Sequence, residues 1–156
     1  MKTAYIEPGC FIGHNVKIGD NARILYGSVI KNAVVGDNFL CNEYALIGAN
    51  GFNMAEDLDG NKIRIPSLGY VIIGNNVEIG AYNNISCGSG GDTIIEDWVK
   101  IDAHVHLGHD VHLKKNYRNY SRSSCRGICV KILYIVCAGS GITIYRGNMD
   151  MANIIT

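Results

Sequence analysis

A six-residue period runs through the first two thirds of the chain. It is clear at residues 12–17 (IGHNVK), 18–23 (IGDNAR) and 73–78 (IGNNVE), where an aliphatic residue begins each hexad and a small or branched residue follows four places later. A period of six matches neither the repeat of a helix nor the two-residue alternation of an ordinary strand. The chain is therefore expected to form a flat coil of short strands joined by corners.

The residues between the aliphatic positions suit such corners. Glycine, asparagine and aspartate tolerate left-handed backbone angles, and stacked coils bury a continuous aliphatic column that no single repeat could bury alone. The 19 glycines against 2 prolines indicate tight corners rather than disorder. An ordinary β-sandwich would show alternation over longer runs and loops of irregular length. The sequence thus predicts an all-β fold, a parallel β-helix.

Two long interruptions break the period. Residues 51–69 are polar and turn-rich in the middle, and we expect them to leave the coil as a protruding loop. The apolar residues that flank this loop, among them Phe52 and Leu68, should cover a neighbouring subunit or a ligand. Residues 87–93 are rich in glycine, and a wide corner is favoured over a phosphate-binding loop because no helix start or Lys-Ser/Thr pair follows them.

Composition narrows the classes of function. Lysine plus arginine and aspartate plus glutamate number 14 each, so there is no basic excess for a nucleic-acid partner. The start of the chain lacks the apolar run of a secretory signal, and no stretch approaches the ~18 apolar residues of a membrane span. A cytoplasmic protein is therefore expected. Its six cysteines are expected to be reduced free thiols rather than metal ligands, because they form no C-x2-C pair.

The interruptions and the hexads around them carry a specific resemblance. It rests, in chain order, on residues 47–52 (IGANGF), 65–69 (IPSLG), 77–81 (VEIGA), 100–102 (KID) and 106–111 (HLGHDV). These segments resemble the UDP-3-O-acylglucosamine N-acyltransferase family and its short sugar-acyltransferase relatives. The likeness covers roughly residues 10–116.

The resemblance implies a left-handed helix, a homotrimer, and active sites in clefts between subunits. It also implies transfer of an acyl group from a coenzyme A or acyl-carrier-protein thioester to an amine or hydroxyl of a sugar or sugar nucleotide. Such reactions serve the synthesis of lipopolysaccharide or other cell-surface polysaccharides. Here the repeats begin at once, without the family's N-terminal uridine-binding domain, and residues 85–88 (ISCG) and 101–103 (IDA) depart from the family's IDRG and IDN. A short relative that uses an acetyl or other acyl thioester fits better.

Four of the five histidines lie within residues 104–112. Counted from the inward position of Leu107, His109 falls at a corner, whereas His104, His106 and His112 point outward. The resemblance makes His109 the general base, because a neutral imidazole can accept a proton from an amine or hydroxyl.

Other residues are expected to complete this site. Asp102 and Glu78 are candidates to orient the imidazole, and a backbone N–H near Gly108 is the candidate oxyanion donor. The predicted substrate contacts are Phe52, Ser86, His106, Gly108 and Asp102.

Two other functions compete with acyl transfer. His104 and His109 resemble paired zinc ligands of the γ-class carbonic anhydrases, but the third histidine that this family needs about two coils upstream is missing, since only His14 remains. No metal is therefore expected. The second alternative is a structural or catalytically incomplete β-helix.

The last quarter of the chain does not follow the hexad pattern. We expect an acyltransferase domain at 1–116 and an irregular tail at 117–156, which supplies a cap or results from a frameshift beyond Lys114 and Lys115. Read one base out of frame, residues 119–130 can encode the small-residue coil that should follow the histidine motif. Because later coils help to bind the acyl donor in the relatives, the donor site is expected to be incomplete.

Overall fold

The computed structural model describes residues 3–119, 121–122, 124–125, 133–138 and 141–146, with the backbone alone for Cys125 and for the last two segments. The first ten strands are β1 (Tyr5–Ile6), β2 (Phe11–Ile12), β3 (Val16–Ile18), β4 (Arg23–Ile24), β5 (Val29–Ile30), β6 (Ala33–Val35), β7 (Leu40–Cys41), β8 (Leu46–Ala49), β9 (Met54–Glu56) and β10 (Lys62–Arg64). The other eleven are β11 (Val71–Ile73), β12 (Glu78–Ile79), β13 (Asn84–Ser86), β14 (Thr93–Ile95), β15 (Lys100–Ile101), β16 (His106–Leu107), β17 (His112–Leu113), β18 (Arg118–Asn119), β19 (Ser124–Cys125), β20 (Leu133–Ala138) and β21 (Gly141–Arg146).

Three parallel sheets form the faces of the coil. Sheet A has the order β1-β4-β7-β12-β15-β18, sheet B the order β2-β5-β8-β13-β16-β19, and sheet C the order β3-β6-β11-β14-β17. The chain passes from A to B to C and back to A on each turn, which gives a parallel β-helix of about six turns that matches the left-handed type. The predicted fold is confirmed. None of the described segments forms a helix capable of spanning a membrane.

The interior of the coil is the aliphatic column that the hexads predict. Each residue that begins a hexad points inward and contacts its equivalents in the coils above and below. The buried members of this column are Ile24, Ile30, Val35, Cys41, Ile47, Ile73, Ile79, Ile85, Ile95, Ile101, Leu107 and Leu113. Burial of this column supplies the main driving force for folding.

The corners contain residues with left-handed backbone angles, and equivalent corners stack. Along the corner between sheets C and A, Asn38 accepts a hydrogen bond from Asn21 Nδ2 and donates one to Asn76 Oδ1, each at 3.2 Å. These asparagines have φ values between 55° and 57°. The prediction that asparagine forms corners is correct here.

The corner between sheets A and B is aromatic instead, which the sequence pattern does not indicate. Tyr44 stacks on Tyr82 with ring centroids 5.2 Å apart, and Tyr82 stacks on His104 at the same distance. All three residues have positive φ near 56°. Ring stacking between successive coils compensates for a backbone conformation that tyrosine and histidine seldom adopt.

Both long interruptions occur at the corner between sheets B and C. The first leaves after β8 and contains the antiparallel hairpin of β9 and β10 before the chain returns at β11. The second lies between β13 and β14. The prediction of a protruding loop is therefore confirmed, and the two interruptions lie at the same corner in successive coils.

The parallel pairing continues beyond residue 116, where the hexad sequence ends. β18 pairs with β15 and β19 pairs with β16, while Tyr117 and Asn119 are buried. Pairing joins backbones, so it persists where the side chains no longer match the pattern. A separate domain at 117–156 stays a prediction, and residues 120, 123, 126–132, 139–140 and 147–156 of this tail lie outside the described residues.

Glu96 ties two successive coils together. Its Oε2 accepts the N–H of Lys115 at 2.8 Å, and its Oε1 accepts Lys114 Nζ at 3.0 Å and lies 2.7 Å from His112 Nε2. Hydrogen bonds from the Lys115 N–H and the Lys114 ammonium lower the pKa of Glu96 from 4.5 to about 2. Partial burial opposes this shift, and the hydrogen bond from His112 adds to it.

The Glu96→Gln variant should lose part of the acid sensitivity of the fold. Because the folded-state pKa lies below the unfolded value, Glu96 stabilises the wild type above about pH 4.5, and this contribution disappears as the pH falls toward 2. The urea midpoint should therefore drop more between about pH 5 and about pH 3 in the wild type than in the variant. Glu56→Gln, in the exposed hairpin, is the matched control. An equal drop in the wild type and Glu96→Gln would contradict this account.

Candidate active site

The corner between sheets B and C brings together three segments that are far apart in sequence. They are the first residues of the protruding loop, the glycine-rich segment after β13, and the turn after β16 that contains His109 and Asp110. Because each turn of the coil returns to the same corner, residues from successive coils meet here. We call this place the B–C corner.

His109 and Asp110 form a side-chain pair at this corner. His109 Nδ1 lies 2.6 Å from Asp110 Oδ2, and the side chains are 22% and 13% exposed. Asp110 occupies the left-handed corner position, with a φ of 60°, which aspartate tolerates better than most residues. Corner geometry therefore places the carboxylate directly beside the imidazole that precedes it.

The glycine-rich segment binds the other oxygen of the same carboxylate. Asp110 Oδ1 accepts the N–H groups of Ser89, Gly90 and Gly91 at 2.9, 3.1 and 3.0 Å. The N–H of Asp110 itself donates to Thr93 Oγ1 at 3.1 Å. Burial would raise the pKa of Asp110, but the hydrogen bonds from His109 and from the three backbone amides hold it below its ordinary value.

The ionised carboxylate determines which ring nitrogen of His109 carries the proton. A carboxylate can only accept hydrogen bonds, so Nδ1 must donate to Asp110. In the neutral imidazole, Nε2 then has a free lone pair. The B–C corner therefore presents a histidine whose outer nitrogen is prepared to accept a proton.

Gly51, at the start of the protruding loop, packs against the ring of His109. A Cβ atom on Gly51 would lie 2.7 Å from His109 Cδ2, the carbon bonded to Nε2, and 2.9 Å from its Cβ. Real Cβ atoms do not approach so closely, which explains why this position is glycine. The loop thus packs against the Cγ–Cδ2 edge of the ring.

Four of the predicted substrate contacts lie at or beside the B–C corner. Phe52 follows Gly51 and is 81% exposed, with Arg64 Cζ 5.7 Å from its ring centroid. Ser86 is buried at the end of β13, His106 is half-buried in β16, and Gly108 is buried at the start of the turn that contains His109. Their contact with substrate stays a prediction.

Asp102 lies elsewhere. It occupies the corner between sheets A and B, where its carboxylate accepts the N–H of Ala103 at 2.8 Å and of Ser121 at 3.2 Å. Glu78, on sheet A, pairs with Lys100 Nζ at 3.3 Å. The prediction that Asp102 or Glu78 orients His109 is therefore wrong, and Asp110 does so. Each face of the coil takes about six residues, so a residue seven places before His109 lies at the preceding corner.

Sequence reasoning missed the role of Asp110 and of the glycine-rich segment. The interpretation of residues 87–93 as a wide corner is correct, but this corner also binds a carboxylate through its backbone. The signal was present, since a glycine-rich run provides unhindered N–H groups and Asp110 directly follows the histidine of the motif.

The arrangement of the histidines bears on the zinc alternative. His104 lies at the A–B corner, stacked on Tyr82, whereas His109 lies at the B–C corner. The two side chains therefore do not form a ligand pair within one chain. Among the described residues, no three His, Cys, Asp or Glu side chains are grouped as metal ligands would be.

Comparison with known proteins agrees with this geometry. The family described as bacterial transferase hexapeptide (six repeats) matches residues 2–32. Over 146 residues the chain is 34% identical to the UDP-3-O-acylglucosamine N-acyltransferase of Herminiimonas arsenicoxydans, an alignment that covers 92% of this chain and 40% of that protein. Over 86 residues it is 48% identical to UDP-3-O-acylglucosamine N-acyltransferase 2 of Legionella pneumophila (strain Paris), covering 55% of this chain and 25% of that protein.

The chain thus spans 40% or less of the length of these two curated relatives. Among solved structures, UDP-N-acetylglucosamine acyltransferase from Campylobacter jejuni shares the coil, with a TM-score of 0.56 and 26% identity over 80% of this chain and 52% of that chain. The hexad core, the three parallel sheets and these likenesses lead to the same conclusion: the chain is a left-handed β-helix of hexapeptide repeats that is similar to the hexapeptide-repeat acyltransferases.

Proposed function

We propose that this chain transfers an acyl group from a thioester to an amine or hydroxyl of a sugar or sugar nucleotide, with His109 as the general base. The observation that carries the proposal is the His109–Asp110 pair, whose carboxylate is bound by three backbone amides. This pair leaves Nε2 free to accept a proton from the acceptor. The similarity to two UDP-3-O-acylglucosamine N-acyltransferases supports a sugar-nucleotide acceptor and a place in lipopolysaccharide synthesis.

The reaction follows from the position of the free lone pair. His109 Nε2 removes the proton from the acceptor nitrogen or oxygen as that atom attacks the thioester carbonyl carbon, which gives a tetrahedral intermediate with a negative oxygen. A backbone N–H near Gly108 is the proposed donor to that oxygen. Collapse of the intermediate breaks the carbon–sulfur bond, and the imidazolium returns its proton to the leaving thiolate. The acyl donor is a thioester of coenzyme A or of an acyl carrier protein, and no metal takes part.

We further propose that the active protein is a cytoplasmic homotrimer with its active sites between subunits. Three apolar side chains on the protruding loop support an interface there, since Phe52 and Leu68 are about four-fifths exposed and Leu58 is fully exposed. On sheet C, Val34, Ile72 and Ile94 lie in the outward register and are half-buried. Exposed apolar side chains on one part of a surface often mark a contact with another protein.

The proposed activity is tested by following free thiol release from acetyl-CoA, longer acyl-CoA and acyl-carrier-protein thioesters. Each donor is incubated with a panel of amino-sugar and hydroxyl-sugar nucleotides, and products are identified by mass spectrometry. Thiol release should require both the donor and one class of acceptor, and a chelator should not reduce it. Failure of every pair would favour the structural, non-catalytic alternative, and activity lost with the chelator would favour a metal enzyme.

A further inference from the structure

Ser67, near the end of the protruding loop, contacts both segments that flank His109. Its Oγ accepts the N–H of Gly51 at 2.9 Å, and it lies 3.0 Å from Ser89 Oγ. Since Gly51 packs against the His109 ring and Ser89 donates its N–H to Asp110, one hydroxyl connects the two sides of the pair.

These contacts form a closed circuit around the pair. The circuit runs from Ser67 to Gly51, to the ring of His109, to Asp110, to Ser89 and back to Ser67. Three of its hydrogen bonds join residues that are 16, 22 and 21 positions apart in the sequence. The circuit therefore depends on how successive coils and the loop stack, rather than on any local motif.

One further bond holds the loop against the coil at this point, and a second bond lies within the loop. The N–H of Gly69 donates to Gly88 O at 2.9 Å, and Arg64 Nη1 donates to Gly51 O at 2.9 Å. Gly51 is buried, so removal of its acceptor would leave an N–H without a partner in the interior, which costs more than the loss of an exposed bond.

From this circuit we infer that Ser67 is a positioning residue for His109, and this inference rests on the proposed role of His109 as base. The Ser67 hydroxyl holds Gly51 against one edge of the imidazole and Ser89 against Asp110 on the other side. The ring and its Nδ1 proton are thereby kept in one orientation. Ser67 has no direct contact with the imidazole and acts through Gly51 and Ser89.

The test compares Ser67→Ala with Ser67→Thr, which keeps the hydroxyl. Ser67→Ala should lower kcat by about fivefold to about fiftyfold with KM within about twofold, because the base remains but is less well oriented. Ser67→Thr should recover most of the rate. Nitrogen-15 NMR of the free protein should show the His109 ring as one Nδ1–H tautomer in the wild type and as a mixture in Ser67→Ala.

Ser28→Ala is the matched control for a merely structural effect. Ser28 is buried and donates from Oγ to Asn42 O at 2.9 Å, in another part of the coil. This variant should lower the thermal midpoint without altering the His109 spectrum. An unchanged His109 spectrum in Ser67→Ala, or the same spectral change in Ser28→Ala, would overturn the inference. The spectra need no substrate, so they decide the role of Ser67 even if no donor and acceptor pair supports turnover.

Discussion

Replacement of His109 by alanine is expected to reduce acyl transfer by about two to four orders of magnitude, the usual contribution of a positioned general base. The loss should appear in kcat, because the proton leaves the acceptor as the new bond forms. Stability should change little, since the side chain is partly exposed at a corner and lies outside the aliphatic column. Steady-state kinetics with the best donor and acceptor, together with thermal unfolding, measure both effects.

Asp110→Asn should have a smaller effect than His109→Ala, about tenfold to about a hundredfold in kcat, because the imidazole remains while its orientation weakens. An amide cannot act as a charged acceptor for both the ring N–H and three backbone amides. His104→Ala is the matched histidine control, because His104 stacks on Tyr82 at a different corner. Equal losses in the His104 and His109 variants, or full activity in His109→Ala, would exclude the proposed role of His109.

The largest effect on stability is expected at Asn83, where alanine should cost about 2–4 kcal/mol of unfolding free energy. Asn83 is 1% exposed and occupies the inward position four places after Ile79. Its Nδ2 donates to Gly80 O at 2.9 Å and to Asp102 O at 2.8 Å, and its Oδ1 accepts the N–H of Val105. Alanine would leave three backbone groups without these bonds, two of them on the buried residues Gly80 and Val105, where an unpaired polar group is costly.

Asn84→Ala is the control for this measurement, because Asn84 is the same residue type one position later. Asn84 lies in the outward register of sheet B and is half-buried, and its Oδ1 is buried without a hydrogen-bond partner among the described residues. Its replacement should cost less than about 1 kcal/mol, because alanine removes an oxygen that makes no hydrogen bond. Urea unfolding of both variants gives the comparison. A cost at Asn83 no larger than that at Asn84 would show that the buried amide bonds do not stabilise the coil.

Asn83 also illustrates the limit of the hexad pattern. The pattern predicts that the residue four places after Ile79 faces the interior, and the structure confirms this placement. It cannot show that a polar side chain there joins two coils, because Asp102 and Val105 belong to the next turn. The same limit applies to Tyr82 and His104, whose corner angles are stabilised by stacking between turns.

The sequence by itself determined the periodic part of this protein: the inward aliphatic column, the corners, the protruding loop and the corner position of His109. The loop is recognised because it breaks the period. The other features depend on residues within one hexad, since the direction of a side chain and the tolerance for positive φ are local properties. The tertiary structure alone decided the partner of His109, the carboxylate-binding role of residues 89–91, the bond between Ser67 and Ser89, and the continuation of the coil past residue 116. Apart from the His109–Asp110 pair, whose members are adjacent in sequence, those features join residues of different turns or of the loop. The distances between these residues depend on how each turn stacks on the one before. They also depend on the protruding loop of residues 51–69, which changes the number of residues between successive corners.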